Sequence, residues 1–124
     1  MNIDPHNILI KPEEFIDFMR SINSEGQYFD RKEIRTENKG MEDARDKIKK
    51  CVSAFTNSRG GLLVLGISNQ GDVIGLNHLN ENEYNSLSKT LRESLGNHKS
   101  ESKEWFYETK KLLLIFTRRF LWGL

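Results

Sequence analysis

The chain is poor in the residues that fix a fold covalently or by stiffness: it has one cysteine, Cys51, and two prolines. A single cysteine excludes an internal disulfide framework and fits a reducing compartment. No apolar run approaches the roughly 18–20 residues that a membrane span requires. The longest, Leu112 to Phe116, is strand-sized. The first residues lack a basic segment leading into an apolar run, so no secretory leader is read there and a cytoplasmic location is expected. Internal repeats and low-complexity linkers are missing as well. Nor is there an excess of one charge, since 19 Lys and Arg face 18 Asp and Glu for a net charge of +1. Bulk charge therefore gives no sign of a polyanionic partner. Its distribution does give one. Residues 31–59 hold nine basic and five acidic side chains, and the remainder holds ten basic and thirteen acidic. A basic stretch beside an acidic remainder can steer a polyanion, although mixed charges on a solvated helix give the same count.

What is present suits one domain. A chain of 124 residues with 36% hydrophobic and 30% charged side chains can bury a modest core beneath a charged surface. The expected division is a loose start over residues 1–11, a domain over 12–117 and an atypical tail over 118–124. Pro12-Glu13-Glu14 suits a helix N-terminus. Phe15, Ile16, Phe18, Met19 and Ile22 then recur at helical spacing until Ser24-Glu25-Gly26. Tyr28 to Arg35 reads as a strand. Met41 to Thr56 reads as a helix with Ala44, Ile48, Cys51, Val52 and Phe55 on one stripe. Leu62 to Ile67 reads as a strand buried on both faces, and Asp72 to Leu76 as its hairpin partner. A second long helix is expected from Asn80 to Leu95, with Tyr84, Leu87, Leu91 and Leu95 on one side. A polar loop follows to Lys103, then strands near Trp105 to Glu108 and Leu112 to Thr117. This order predicts an α+β fold, a mixed sheet with helices packed on one face.

Three segments carry more information than the periodicity. Glu25 is followed five residues later by Asp30-Arg31-Lys32. Val52 to Gly61 reads Val-Ser-Ala-Phe-Thr-Asn-Ser-Arg-Gly-Gly. Leu63-Val64-Leu65-Gly66-Ile67 runs into Ser68-Asn69-Gln70-Gly71 and then Val73-Ile74-Gly75-Leu76. In this order and spacing they resemble the AlbA_2 domain of the Schlafen proteins and of many bacterial predicted regulators, over roughly Pro12 to Leu95. Much of the motif has a purely structural reading. Phe55 anchors the helix, Gly60 and Gly61 permit a tight turn, Gly66 allows close backbone approach, and Gly75 belongs to the same fold signature. Asn57 either caps the helix end or faces a ligand. The Gly60-Gly61 turn is no nucleotide phosphate loop, since a strand and not a helix follows it.

The resemblance implies a nucleic-acid-binding module for DNA or RNA, in a DNA-binding transcriptional regulator. It also points to Lys32, which matches the family's strand lysine. Arg59, beside the Gly-Gly turn, is the other leading candidate for a phosphate contact, followed by Arg31, Arg35, Lys47 and Lys50. Arg31 and Lys32 are neighbours on a strand, so they point to opposite faces. Some Schlafen proteins carry a three-carboxylate nuclease site that would hold a divalent ion such as Mg or Mn. The resemblance maps its first two acids onto Glu25 and Asp30, but Ser68-Asn69 stand where the family often has two acids. Binding is therefore expected in preference to catalysis, with no resident cofactor. A metal-dependent RNase remains the alternative, and a protein-interaction domain or truncated relic the third. No cysteine–histidine metal spacing exists. His6, His78 and His98 lie among polar residues and read as solvated, and Cys51 reads as core. The family sheet continues past Thr117, which motivates two expectations for the tail Arg118 to Leu124: early termination of the reading frame, or self-association through Phe120, Leu121 and Trp122.

Overall fold

The computed structural model describes residues 11–21, 28–57, 60–95 and 100–117. A 3-10 turn at Pro12–Glu14 leads into a short helix, α1 (Ile16–Arg20). Strand β1 (Phe29–Lys32), helix α2 (Gly40–Thr56), strand β2 (Gly61–Leu65), helix α3 (Glu81–Leu95) and strands β3 (Ser100–Tyr107) and β4 (Lys110–Thr117) follow. The sheet is four-stranded in the order β1-β2-β4-β3. β1 runs parallel to β2, and the other neighbours are antiparallel. A parallel pair needs a crossover, which α2 supplies. The fold is α+β with a mixed sheet, as predicted.

β2 is central and all five of its residues are buried. Its side chains alternate between two apolar layers. Leu63 and Leu65 join Ala44, Ile48, Cys51, Val52 and Phe55 of α2, Leu87 and Leu91 of α3, and Leu113 and Ile115 of β4. Leu62 and Val64 join Met19, Phe29, Leu112, Leu114 and Phe116, with Phe15, Ile16 and Phe18 packed against them. The expectation of helices on one face is thereby corrected. α2 and α3 share a face, and α1 covers the other, because a strand apolar on both sides must be shielded from water twice.

Helix ends follow local chemistry. Asn80 opens α3 with a capping box: its Oδ1 accepts from the Glu83 amide at 2.8 Å and its own amide donates to Glu83 Oε1 at 2.9 Å. Glu42 and Asp43 lie in the first turn of α2, where the helix dipole favours acids.

Four sequence expectations are corrected in extent. The helix expected from Pro12 is interrupted at Phe15 (φ −114°, ψ 4°), leaving a 3-10 turn and five helical residues. β1 stops at Lys32, opposite Leu65, because the next residue of the partner strand, Gly66, turns away at φ +113°. The hairpin of Asp72 to Leu76 is reduced to one bridge, Ile67 to Val73. Gly66 O accepts both the Ile74 and Gly75 amides at 2.9 Å, so the chain curls onto the end of β2 instead of pairing along it. Finally, β3 begins at Ser100, inside the segment read as a polar loop. Pairing with β4 imposes strand geometry on a charged sequence that shows no apolar alternation.

Tyr84 ties α3 to the β3–β4 hairpin. Its hydroxyl donates to Glu104 Oε1 at 2.5 Å, and Lys111 Nζ lies 4.0 Å from its ring centroid and 3.4 Å from the same carboxylate. Burial first, then the Glu104 hydrogen bond and charge, hold the phenol protonated above its ordinary range. The stabilisation is therefore full below the unfolded tyrosine pKa of about 10 and is lost as pH rises through the higher folded value. Urea midpoints of wild type and Tyr84→Phe compared at about pH 8 and about pH 11 should show the wild-type advantage shrinking at the higher pH. A constant difference would contradict the assignment.

Candidate nucleic-acid interface

Strand alternation sorts the first cluster of predicted site residues. Phe29 and Arg31 face the α1 layer, whereas Asp30 and Lys32 face α2. Arg31 is 1% exposed and its guanidinium is held by main-chain oxygens. Nη1 donates to Met19 O at 2.9 Å and Ser21 O at 2.6 Å, and Nη2 donates to Asn69 O at 2.9 Å. The reading of Arg31 as a phosphate contact is corrected: the side chain is a buried clamp joining the end of α1, β1 and the turn after β2. A signal for this was present, since period two places Arg31 on the same side as Phe29.

Asp30 is also engaged. One carboxylate oxygen receives Lys47 Nζ at 2.5 Å and the Cys51 thiol at 3.5 Å, and the other accepts the Arg31 amide at 2.8 Å. Lys47 and Cys51 lie one helical turn apart on α2, so this cluster fixes the helix against β1. Cys51 is buried on the apolar stripe, as its spacing predicts. The charge of Lys47 is accordingly offset by a half-buried acid.

Lys32 differs. It is half-buried on the α2 side of the edge strand and has no carboxylate within ion-pair distance among the described residues. Lys50 is exposed on α2, three residues beyond Lys47 and so on the same flank of the helix. Arg35 is 71% exposed and, among the described residues, makes only a 3.7 Å ion pair with Glu33. These side chains line the β1 edge of the domain and the adjoining side of α2. Glu25 and Arg59 lie outside the described residues, as does the tail 118–124.

The motif residues behave as one packing unit. The Gly60 amide donates to Phe55 O at 2.8 Å, and a Cβ on Gly61 would lie 2.6 Å from the Phe55 ring. Gly61 therefore accommodates the buried phenylalanine. A Cβ on Gly66 would meet Leu112 Cδ2 at 2.7 Å, and one on Gly75 would meet Lys110 Cβ at 2.9 Å. Asn57 is exposed at the C-cap of α2, its amide donating to Ser53 O.

Ser68 and Asn69, which stand where the family often has two acids, hold the turn. Ser68 is 3% exposed, and its Oγ accepts the Gln70 and Asp72 amides at 3.3 and 3.1 Å. Asn69 supplies a carbonyl to Arg31. Among the described residues no three His, Cys, Asp or Glu converge on a metal-sized site. His78 is exposed, and its ring donates from Nε2 to Ile34 O at 2.7 Å. His6 and His98 lie outside the described residues. No described helix is long and apolar enough to cross a membrane.

Comparison with known proteins agrees with this architecture. No curated protein matched the sequence. Among solved structures, the crystal structure of the DIP2311 protein from Corynebacterium diphtheriae superposes with a TM-score of 0.56 at 19% identity, covering 92% of this chain. The chain spans 22% of the length of that protein. The similarity is one of fold. The family model described as "Schlafen, AlbA_2" matches residues 25–118, well over half of the chain. The chain thus belongs to the Schlafen AlbA_2 family.

Proposed function

We propose that this domain binds nucleic acid, DNA or RNA, by contacting phosphates along the flank formed by β1 and the adjoining side of α2. The observation that carries the reading is Lys32, an ammonium group on an edge strand with no carboxylate partner among the described residues. Lys50 adds a second charge on the same flank, and Arg35 a third just past the strand. Family membership supports a nucleic-acid-related module. Lys47 contributes chiefly by pinning α2 to Asp30. Arg59 follows α2 in the chain and belongs to the same proposal. Such contacts give affinity and salt dependence without reading bases, so the domain acts as a sequence-tolerant module of a DNA-binding regulator, placed in the cytoplasm.

The test is fluorescence anisotropy with labelled single- and double-stranded DNA and RNA over a salt series. Each phosphate contact contributes about 0.7–0.9 to the slope of log affinity against log salt. Lys32→Ala, Lys50→Ala and Arg59→Ala should each weaken binding evenly across sequences and lower that slope by roughly 1. Absence of binding at low salt by a folded sample, or an unchanged slope in the triple variant, would overturn the reading.

A further inference from the structure

We propose that the trough between α3 and the β3–β4 hairpin binds a small organic anion, a carboxylate carried on an apolar or aromatic body. The trough is a cavity of about 460 Å³. That volume falls within the roughly 300–1,000 Å³ range of small-molecule sites. Leu91 of α3 and Leu113 of β4 form its apolar floor, and both are buried. Tyr84 and Glu104 close one end, and Ser88, Ser102 and Arg92 line the rest.

Three of these polar groups are uncommitted among the described residues. Arg92 is exposed and has no carboxylate within ion-pair distance, since the neighbouring Glu93 pairs with Lys89 at 3.9 Å. The hydroxyls of Ser88 and Ser102 make no described hydrogen bond, whereas Thr90 of the same helix donates from Oγ1 to Ser86 O at 3.0 Å. The other end is anionic. Glu104 Oε1 takes the Tyr84 hydroxyl at 2.5 Å and Lys111 Nζ at 3.4 Å. A carboxylate has about four acceptor sites, so Glu104 keeps capacity for a ligand hydroxyl.

Position along α3 polarises the trough. Tyr84 marks the Glu104 end, and Arg92, eight residues later, stands about 12 Å further along the axis. A ligand carboxylate is therefore drawn to the Arg92 guanidinium, whose planar fork matches it in two parallel hydrogen bonds, with the serine hydroxyls alongside. The apolar body lies on Leu91 and Leu113, where its burial adds affinity that a bare hydrated anion cannot gain. A second negative charge on the ligand would face Glu104. The site thus selects a single anionic head with a neutral far end. It lies at the opposite edge of the sheet from β1, so it stands or falls independently of nucleic-acid binding.

Titration of the isotope-labelled full chain with para-hydroxyphenylpropionate, followed by amide chemical shifts, tests the proposal. Saturable shifts should centre on Ser88, Leu91 and Ser102. The neutral alcohol of the same body, para-hydroxyphenylpropanol, should bind roughly tenfold more weakly. Arg92→Gln should weaken the carboxylate to the level of the alcohol and leave the alcohol unchanged. Ser88→Phe, which fills the trough, should abolish binding of both with unchanged far-UV circular dichroism. Any one of four results overturns the proposal: no saturable shift in the folded chain, equal binding of the two probes, a carboxylate preference that survives Arg92→Gln, or binding that survives Ser88→Phe.

Discussion

Replacing Arg31 with alanine is expected to lower the unfolding free energy by about 3–5 kcal/mol, a large share of the roughly 5–15 kcal/mol typical of a domain. Three main-chain oxygens, of Met19, Ser21 and Asn69, accept from this guanidinium at 2.6–2.9 Å. The guanidinium is buried, with Arg31 at 1% exposure, while Ser21 and Asn69 themselves lie at the surface. Truncation leaves the Met19 carbonyl without its donor in a buried site, releases the Ser21 and Asn69 carbonyls from the clamp, and opens a void beneath α1. The cost of the unsatisfied acceptor then adds to the lost packing. Lysine is a poor substitute despite its equal charge. Its ammonium is a point donor, whereas the planar fork reaches Met19 and Ser21 from one nitrogen and Asn69 from the other. Arg31→Lys should recover less than half of the loss. Urea unfolding followed by far-UV circular dichroism measures both values. A midpoint for Arg31→Ala within error of wild type would show that the clamp contributes little.

The second large effect is expected at Gly71, with Gly71→Ala costing about 2–4 kcal/mol. Two independent reasons act there. Gly71 has φ +87°, a region that side chains with a Cβ rarely enter. A Cβ would also stand 1.9 Å from the Arg20 carbonyl oxygen, a backbone atom that cannot rotate aside. Relief requires moving the turn of Ser68 to Asp72 or the end of α1, and the two are coupled. Arg20 Nε donates to Gly71 O at 3.1 Å, and its guanidinium lies over Tyr107 at 5.8 Å. Met19, fully buried next to Arg20, would be displaced from the second core layer. Hydrogen exchange should therefore report faster opening of residues 16–20 in Gly71→Ala, alongside a lower melting temperature. Wild-type protection and melting would mean that the turn absorbs the methyl group at little cost.

These effects bear on function through β1. The proposed contact Lys32 and the clamp Arg31 are consecutive, so the burial of one helps fix the strand that presents the other. A binding assay on an Arg31 variant would therefore read stability as well as affinity, whereas Lys32→Ala removes a half-exposed charge and leaves the core intact.

Legibility in the sequence depended on how local the signal was. The stripe of Ala44, Ile48, Cys51, Val52 and Phe55 predicts α2 to within one residue at its start, because helical periodicity accumulates over four turns. Asn80 and Glu83 mark the start of α3 by a capping box complete within four residues. The continuous apolar run of β2 announces burial on both faces, and the ordered motif from Ser53 to Gly75 announces the family. β3 was legible only in its aromatic part. Ser100 to Glu104 is a strand because β4 offers it a ladder, and such pairing leaves no mark on an exposed polar sequence.

By itself, then, the sequence determined the α+β class, the two long helices, the buried central strand and the family. Each of these rests on interactions spanning a few residues or on a pattern repeated along one element. Tertiary structure alone decided that α1 covers the second face and that Arg31 is spent on three carbonyls. It also decided that Asp30 is held by Lys47 and Cys51 from another element, and that Ser68-Asn69 build a turn. Each of those outcomes depends on groups far apart in the chain meeting in space. Burial and hydrogen-bond partners are properties of that meeting, and residue type constrains them only weakly.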